Sequence, residues 1–191
     1  MSAAERETVT REDIPAFAPC EVALPNGWSA RVTVESATDC GAPWDESDGH
    51  GPVRRASDAR DKRAGERLLT DGTGRYERLG NPHFYDFAEA CRIARRDGWG
   101  CDCAGPHGSA RAQAAHAAEM DFHYLQRWCR GDWEYVTVTV ALIDAQGEEA
   151  GRDSLGAVES AGEHWRDVAA EMIEEIASGV VLPNCAVGGG Q

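Results

Sequence analysis

The stretch 43–53, PWDESDGHGPV, gathers Asp45, Glu46, Asp48 and His50 with two glycines and two prolines around Trp44. Carboxylates so placed could ligate a hard cation, and the imidazole beside them could assist a metal-dependent hydrolytic or nuclease-like reaction. The ligand spacing and final glutamate of an EF-hand are missing, which excludes that particular site. The same carboxylates could instead meet arginines of a protein partner, because charge-assisted contacts to guanidinium need a carboxylate. Pro43 and Pro52 would stiffen the ends of such a loop, and Trp44 would pin it to the core.

A second group is Cys101, Cys103 and His107 in CDCAGPH. Thiolate and imidazole are zinc ligands, but a structural zinc needs four, so Cys91, Cys129 or His50 would have to fold nearby. Free thiols on a small loop are the alternative. A third group is His116, Glu119 and His123. Spacings of three and four align them along one side of a helix, yet the two histidines are about two turns apart and do not easily reach one ion. They read as a solvated polar face. There is no G-x-S-x-G nucleophile elbow and no phosphate-binding loop with its lysine. No residue is therefore assigned a catalytic role, and apart from the zinc possibility no cofactor is expected.

The chain carries a formal net charge of −14 over 191 residues, with 18 Arg and a lone Lys62. Such a protein is repelled by nucleic acid and by anionic membranes, and is attracted to the basic surfaces that normally hold nucleic acid. The charge is uneven. Residues 53–67 are net positive, while residues 144–175 hold ten acidic side chains against two basic ones. No apolar run is long enough to span a membrane. The start, MSAAERETVTREDIP, lacks the basic and apolar regions of a signal peptide, so a cytoplasmic location is expected. Seven cysteines, an odd number, are then expected to be free thiols, a few of them buried.

These groups need elements to hold them. Alternation over 20–37 around Asn26-Gly27 predicts a β-hairpin. Residues 38–62 read as a long irregular loop, and 66–79 as a second short hairpin around DGTG. Asn81 as N-cap and Pro82 at the first position predict a helix running to Gly98. Ser109 opens another helix over about 109–130. Residues 133–143 and 151–159 form the clearest strand pair, with a turn near Gln146-Gly147. A capping box of Ser160 and Glu163 opens the last helix, 161–178. That helix turns Trp165, Val168, Ala169, Met172, Ile173 and Ile176 to one side, and Arg166, Asp167, Glu171, Glu174 and Glu175 to the other. The expected fold is a single α+β domain over 20–182: a mainly antiparallel sheet of five to six strands with about three helices on one face. Residues 1–19 read as a flexible N-terminal segment and 183–191 as a mobile tail.

WDESDGHGPV (44–53), KRAGERLL (62–69), YDFAEACRIARRDGW (85–99), DWEYVTVTVALIDAQG (132–147) and SLGAVES (154–160) together resemble a family of small, mostly uncharacterised phage and prophage proteins. The similarity spans roughly residues 20–178. It departs at Gly156, where the family pattern has an aromatic, and at the cysteine–histidine loop 101–107. The resemblance implies phage origin and supplies no catalytic residue. With the acidity, it leads to the expectation of a non-enzymatic, anti-CRISPR-like inhibitor that binds the basic surface of a host nucleic-acid-binding defence complex. Asp45, Glu46, Asp48, His50, Asp167, Glu171, Glu174 and Glu175 are its candidate contacts, with no direct nucleic acid and no membrane involved. The alternative is a metal-dependent hydrolase or nuclease-like enzyme using the loop at 45–50.

Overall fold

The computed structural model describes residues 8–74, 78–99 and 109–180. The described residues form an α+β fold with seven strands in two antiparallel sheets and four α-helices. The chain divides into two compact units. One contains the described residues through Thr38 and those from Tyr135 onward; the other is the continuous stretch from Asp39 to Glu134. The second unit is thus an insertion, in sequence, between two neighbouring strands of the first.

In the first unit β1 (Cys20–Ala23) turns through a 3-10 segment, Pro25–Gly27, into β2 (Ser29–Ser36). Gly27 takes φ 77° there, a conformation that costs a residue without Cβ little. The expected hairpin is present. β6 (Tyr135–Ile143) and β7 (Glu149–Glu159) complete a sheet of order β1-β2-β6-β7. β2 and β6 pair from Ser29↔Ile143 to Ser36↔Val136, and the Ala37 amide donates to the Tyr135 carbonyl at 2.9 Å, so the two chain ends of the insertion lie side by side.

One face of this sheet packs on α4 (His164–Gly179). Val32, Val138, Val140 and Leu142 point inward at every second position, and Trp165, Ala169 and Ile173 meet them at helical spacing. Ile14 is fully buried in the same core, although it falls in the segment 1–19 expected to be flexible. The Arg166 guanidinium holds it there: Nε donates to the Ile14 carbonyl at 2.7 Å and Nη2 to the Arg11 carbonyl at 2.8 Å. The expected Ser160–Glu163 capping box is absent. Glu163 is itself the N-cap, makes no side-chain cap bond, and turns its carboxylate to Arg166 instead.

The second unit contains α1 (Pro43–Glu46), β3 (Val53–Arg55), β4 (Glu66–Thr70), β5 (His83–Asp86), α2 (Phe87–Asp97) and α3 (Ala110–Cys129). Its sheet has the order β3-β5-β4, and α2 and α3 pack on each other and against β4. Ser109 caps α3 as expected, accepting from the Ala112 amide at 3.2 Å.

Three expectations are corrected here. The helix begins at Phe87, not at Asn81-Pro82, and its N-cap is Asp86, which accepts from the Glu89 amide at 2.9 Å. Residues 83–86 are the central strand of the small sheet instead. Phe84 and Tyr85 are both fully buried, and a strand covered on both faces loses the alternation that would reveal it. The DGTG turn is real, with the Asp71 carboxylate accepting from the Thr73 amide at 2.9 Å, but the strand that returns from it is β5. The single sheet of five to six strands is thereby replaced by separate sheets of four and three strands.

Candidate functional site

The acidic side of α4 follows from the spacing that builds its apolar side. Burying Trp165, Val168, Ala169, Met172 and Ile173 sends Glu171, Glu174 and Glu175 to solvent. Asp167 stands apart from these three, because Arg11 Nη1 lies 3.7 Å from its carboxylate. Among the described residues, Glu171, Glu174 and Glu175 have no basic side chain within ion-pair distance. Glu171 is three and four residues from the other two, so these like charges repel along one helix face. The helix has no basic residue in its last turn to offset the negative end of its dipole.

The stretch 43–53 is partly helical. Pro43–Glu46 forms a single turn where only irregular loop was expected. Proline at its first position fits, since the missing N–H would be unpaired there anyway. Trp44 anchors the turn, meeting the Trp128 ring edge-on at 5.5 Å and the His83 ring at 5.9 Å. Glu46 accepts from the Gly41 amide at 2.6 Å, so its carboxylate closes the turn locally. Asp45 and Asp48 are exposed.

His50 does not join those carboxylates. Its Nδ1 lies 2.7 Å from Asp121 Oδ1, and its ring stacks on Tyr124 at 5.5 Å. The other oxygen of Asp121 accepts from the Gly51 amide at 2.8 Å and from the Tyr85 hydroxyl at 2.7 Å. Burial, then the charge of Asp121, push the Tyr85 hydroxyl well above the usual phenol range, so it donates as a neutral phenol. A Cβ at position 51 would lie 2.5 Å from Tyr85 Oη, which is why glycine stands there. One carboxylate on α3 thus fixes the end of the acidic stretch to β5 and α3.

Two further ion pairs brace this unit. Arg54 grips Glu66 with both prongs, Nε to Oε1 and Nη2 to Oε2 at 2.8 Å each, and its guanidinium lies over the Phe84 ring at 5.0 Å. Glu66 is only 6% exposed, and Arg54, outweighing burial, holds its carboxyl down at about 2. Arg67 Nη1 meets Glu119 at 2.6 Å and covers the Phe87 ring at 3.5 Å. Glu119, its carboxyl lowered first by Arg67, also meets His123 Nε2 at 3.1 Å, whereas His116 is exposed. The polar side of α3 is therefore partly a packing surface.

Among the described residues no group of three or more His, Cys, Asp or Glu side chains is placed to hold a metal ion. In particular, Asp45, Asp48 and His50 do not converge. Cys101, Cys103 and His107 lie outside the described residues. Burial raises the Cys20 and Cys91 thiols, the opposite of what an activated nucleophile needs. No described helix is long and apolar enough to cross a membrane.

Sequence reasoning missed Asp121, Tyr85, Arg54 and Glu66. Asp121 sits between Met120 and Phe122, the signal a buried, partnered carboxylate leaves, whereas Glu66, between Gly65 and Arg67, leaves none. No family model, no curated protein and no solved structure matches the chain.

Proposed function

We propose that this protein is a non-enzymatic, acidic accessory protein whose carboxylates occupy a basic protein surface that otherwise holds nucleic acid. The observation that carries this reading is the set Glu171, Glu174 and Glu175: three exposed, mutually repelling carboxylates without a cation of their own among the described residues. An arrangement that costs the free protein stability gains a purpose if arginines or lysines of a partner complete it. Asp45 and Asp48 offer a second, smaller set on the other unit, and the net charge of −14 favours basic partners in general. The phage resemblance extends the proposal to its biological form, an anti-CRISPR-like inhibitor of a host nucleic-acid-binding defence complex acting in the host cytoplasm. With His50 committed to Asp121, the alternative of a metal-dependent hydrolase at 45–50 has no converging ligand set behind it.

The test is capture from lysate of a phage-infected host on the immobilised wild-type chain, beside the variant Glu171→Gln/Glu174→Gln/Glu175→Gln and the variant Asp45→Asn/Glu46→Gln/Asp48→Asn. The proposal expects a nucleic-acid-binding complex on the wild type, released by moderate salt and lost from the first variant. Equal recovery of that complex on all three chains would overturn the role of these carboxylates.

A further inference from the structure

We infer that the open edge of β7 receives an extended basic segment of the partner as an added strand. This rests on the reading above that the partner is a basic protein, and it names how that partner docks.

β7 is an eleven-residue strand paired on one side only, at the end of the sheet, whereas the opposite edge strand β1 has four residues. Arg152–Ala157 are all exposed, so among the described residues nothing covers this part of the edge. Long open edges invite strand pairing, and proteins usually blunt them by shortness, proline, covering loops or bulges. β7 has no proline. Its register with β6 shifts at both ends, near Ala150 and again at Gly156–Ala157, where Ala157 takes φ 56°. Between the shifts, Gly151–Leu155 pair with Leu142–Val138 without interruption. This length of ladder presents its outer peptide groups to a new strand, apart from the Ser154 amide, which donates to the Asp153 carboxylate at 2.7 Å.

A second copy of this chain is a poor occupant. In a twofold antiparallel pairing, residues directly opposite share a face, so the axis must pass through a residue pair. Centred on Arg152 it sets arginine against arginine, and centred on Asp153 it sets aspartate against aspartate. Centred on Gly151, Ser154 or Leu155 it pairs at most three residues of the uninterrupted length, against five when centred on Asp153. Like charges directly opposite are destabilising in a sheet.

A basic strand fits. Asp153 pairs with Val140 and Leu155 with Val138, which places both on the face of the sheet that α4 covers. On the other face, Arg152 is already held by Glu149 at 2.6 Å and Ser154 by Thr139 at 2.9 Å. The remaining positions are Asp153, an exposed carboxylate whose Oδ1 accepts from the Ser154 amide at 2.7 Å and whose other oxygen faces solvent, and Leu155, an apolar side chain that is 49% exposed. The matching strand carries a basic residue with an apolar residue two positions away, on the side nearer the acidic helix α4.

The test uses the full chain and a peptide repeating Arg-Thr-Val-Thr, which sets arginine and valine two positions apart on one face, with binding read by fluorescence anisotropy and the site by amide shifts in NMR. Two further peptides carry N-methyl groups on the odd or on the even residues; both keep the charge, and each removes the N–H groups along one edge of the strand. The expected result is binding with shifts centred on residues 149–157, and a loss of about tenfold or more on N-methylating one set but not the other. Equal binding of all three peptides, with shifts confined to α4, would overturn the added strand while leaving the basic-partner reading in place. Failure of the unmodified peptide to bind at low salt would overturn both.

Discussion

The Arg54–Glu66 pair is bidentate with its carboxylate buried, and its pH behaviour follows from the direction of its shift. The carboxyl of Glu66 titrates at about 2 in the folded protein against an ordinary value of 4.5. Its contribution to stability is therefore fully present above pH 4.5 and is lost as pH falls from there towards 2. Urea midpoints measured across that window should drop more steeply for the wild type than for Glu66→Gln. At neutral pH the same substitution leaves the Arg54 charge partly buried and unpaired, costing about 3 kcal/mol. A flat difference between the two proteins from neutral pH down to pH 2 would contradict this. Little at this scale was legible in the sequence. The acidic stretch 45–48 stood out and is exposed, and Trp44 does anchor it. But the partner of His50 is Asp121, seventy-one residues away, and no local pattern links the two.

At the scale of elements, α4 makes two opposed predictions. Trp165 is 9% exposed in the core beneath the four-stranded sheet, so Trp165→Ala should cost about 3–5 kcal/mol. An unchanged urea midpoint would mean that the helix docks some other way. On the other side, Glu171→Gln/Glu174→Gln/Glu175→Gln removes two like-charge pairs at helical spacing and eases the helix dipole. It should raise stability by about 0.5–1 kcal/mol at low salt, with the gain fading as salt rises. A loss of stability would assign these glutamates a structural role instead. Helix α4, β6 and the β1–β2 hairpin were legible because each has one buried and one open side, so their periodicity survives. β5 was not, because Asn81-Pro82 imitates a helix start and both Phe84 and Tyr85 are buried.

For the whole molecule, the sequence conveyed the α+β class but not the division of its strands between two sheets. Strands of one sheet need not be neighbours in the chain. β2 and β6 pair across the entire stretch from Asp39 to Glu134, a relation that turn signals cannot encode. The side-by-side exit of Ala37 and Tyr135 predicts that replacing this stretch by a short Gly-Ser turn leaves the four-stranded sheet and α4 folded. Retained amide dispersion for β6 and α4 would bear this out, and a collapsed, exchange-broadened spectrum would contradict it. The central claim concerns what the acidic surface does, and displacement of nucleic acid measures that most directly. Titrated into the captured host complex carrying labelled DNA or RNA, the wild-type chain should release the nucleic acid, with a midpoint that weakens steeply as salt is raised. Glu171→Gln/Glu174→Gln/Glu175→Gln should need about tenfold more protein or more. Undiminished nucleic-acid occupancy at saturating wild-type chain, or equal displacement by the variant, would contradict the account.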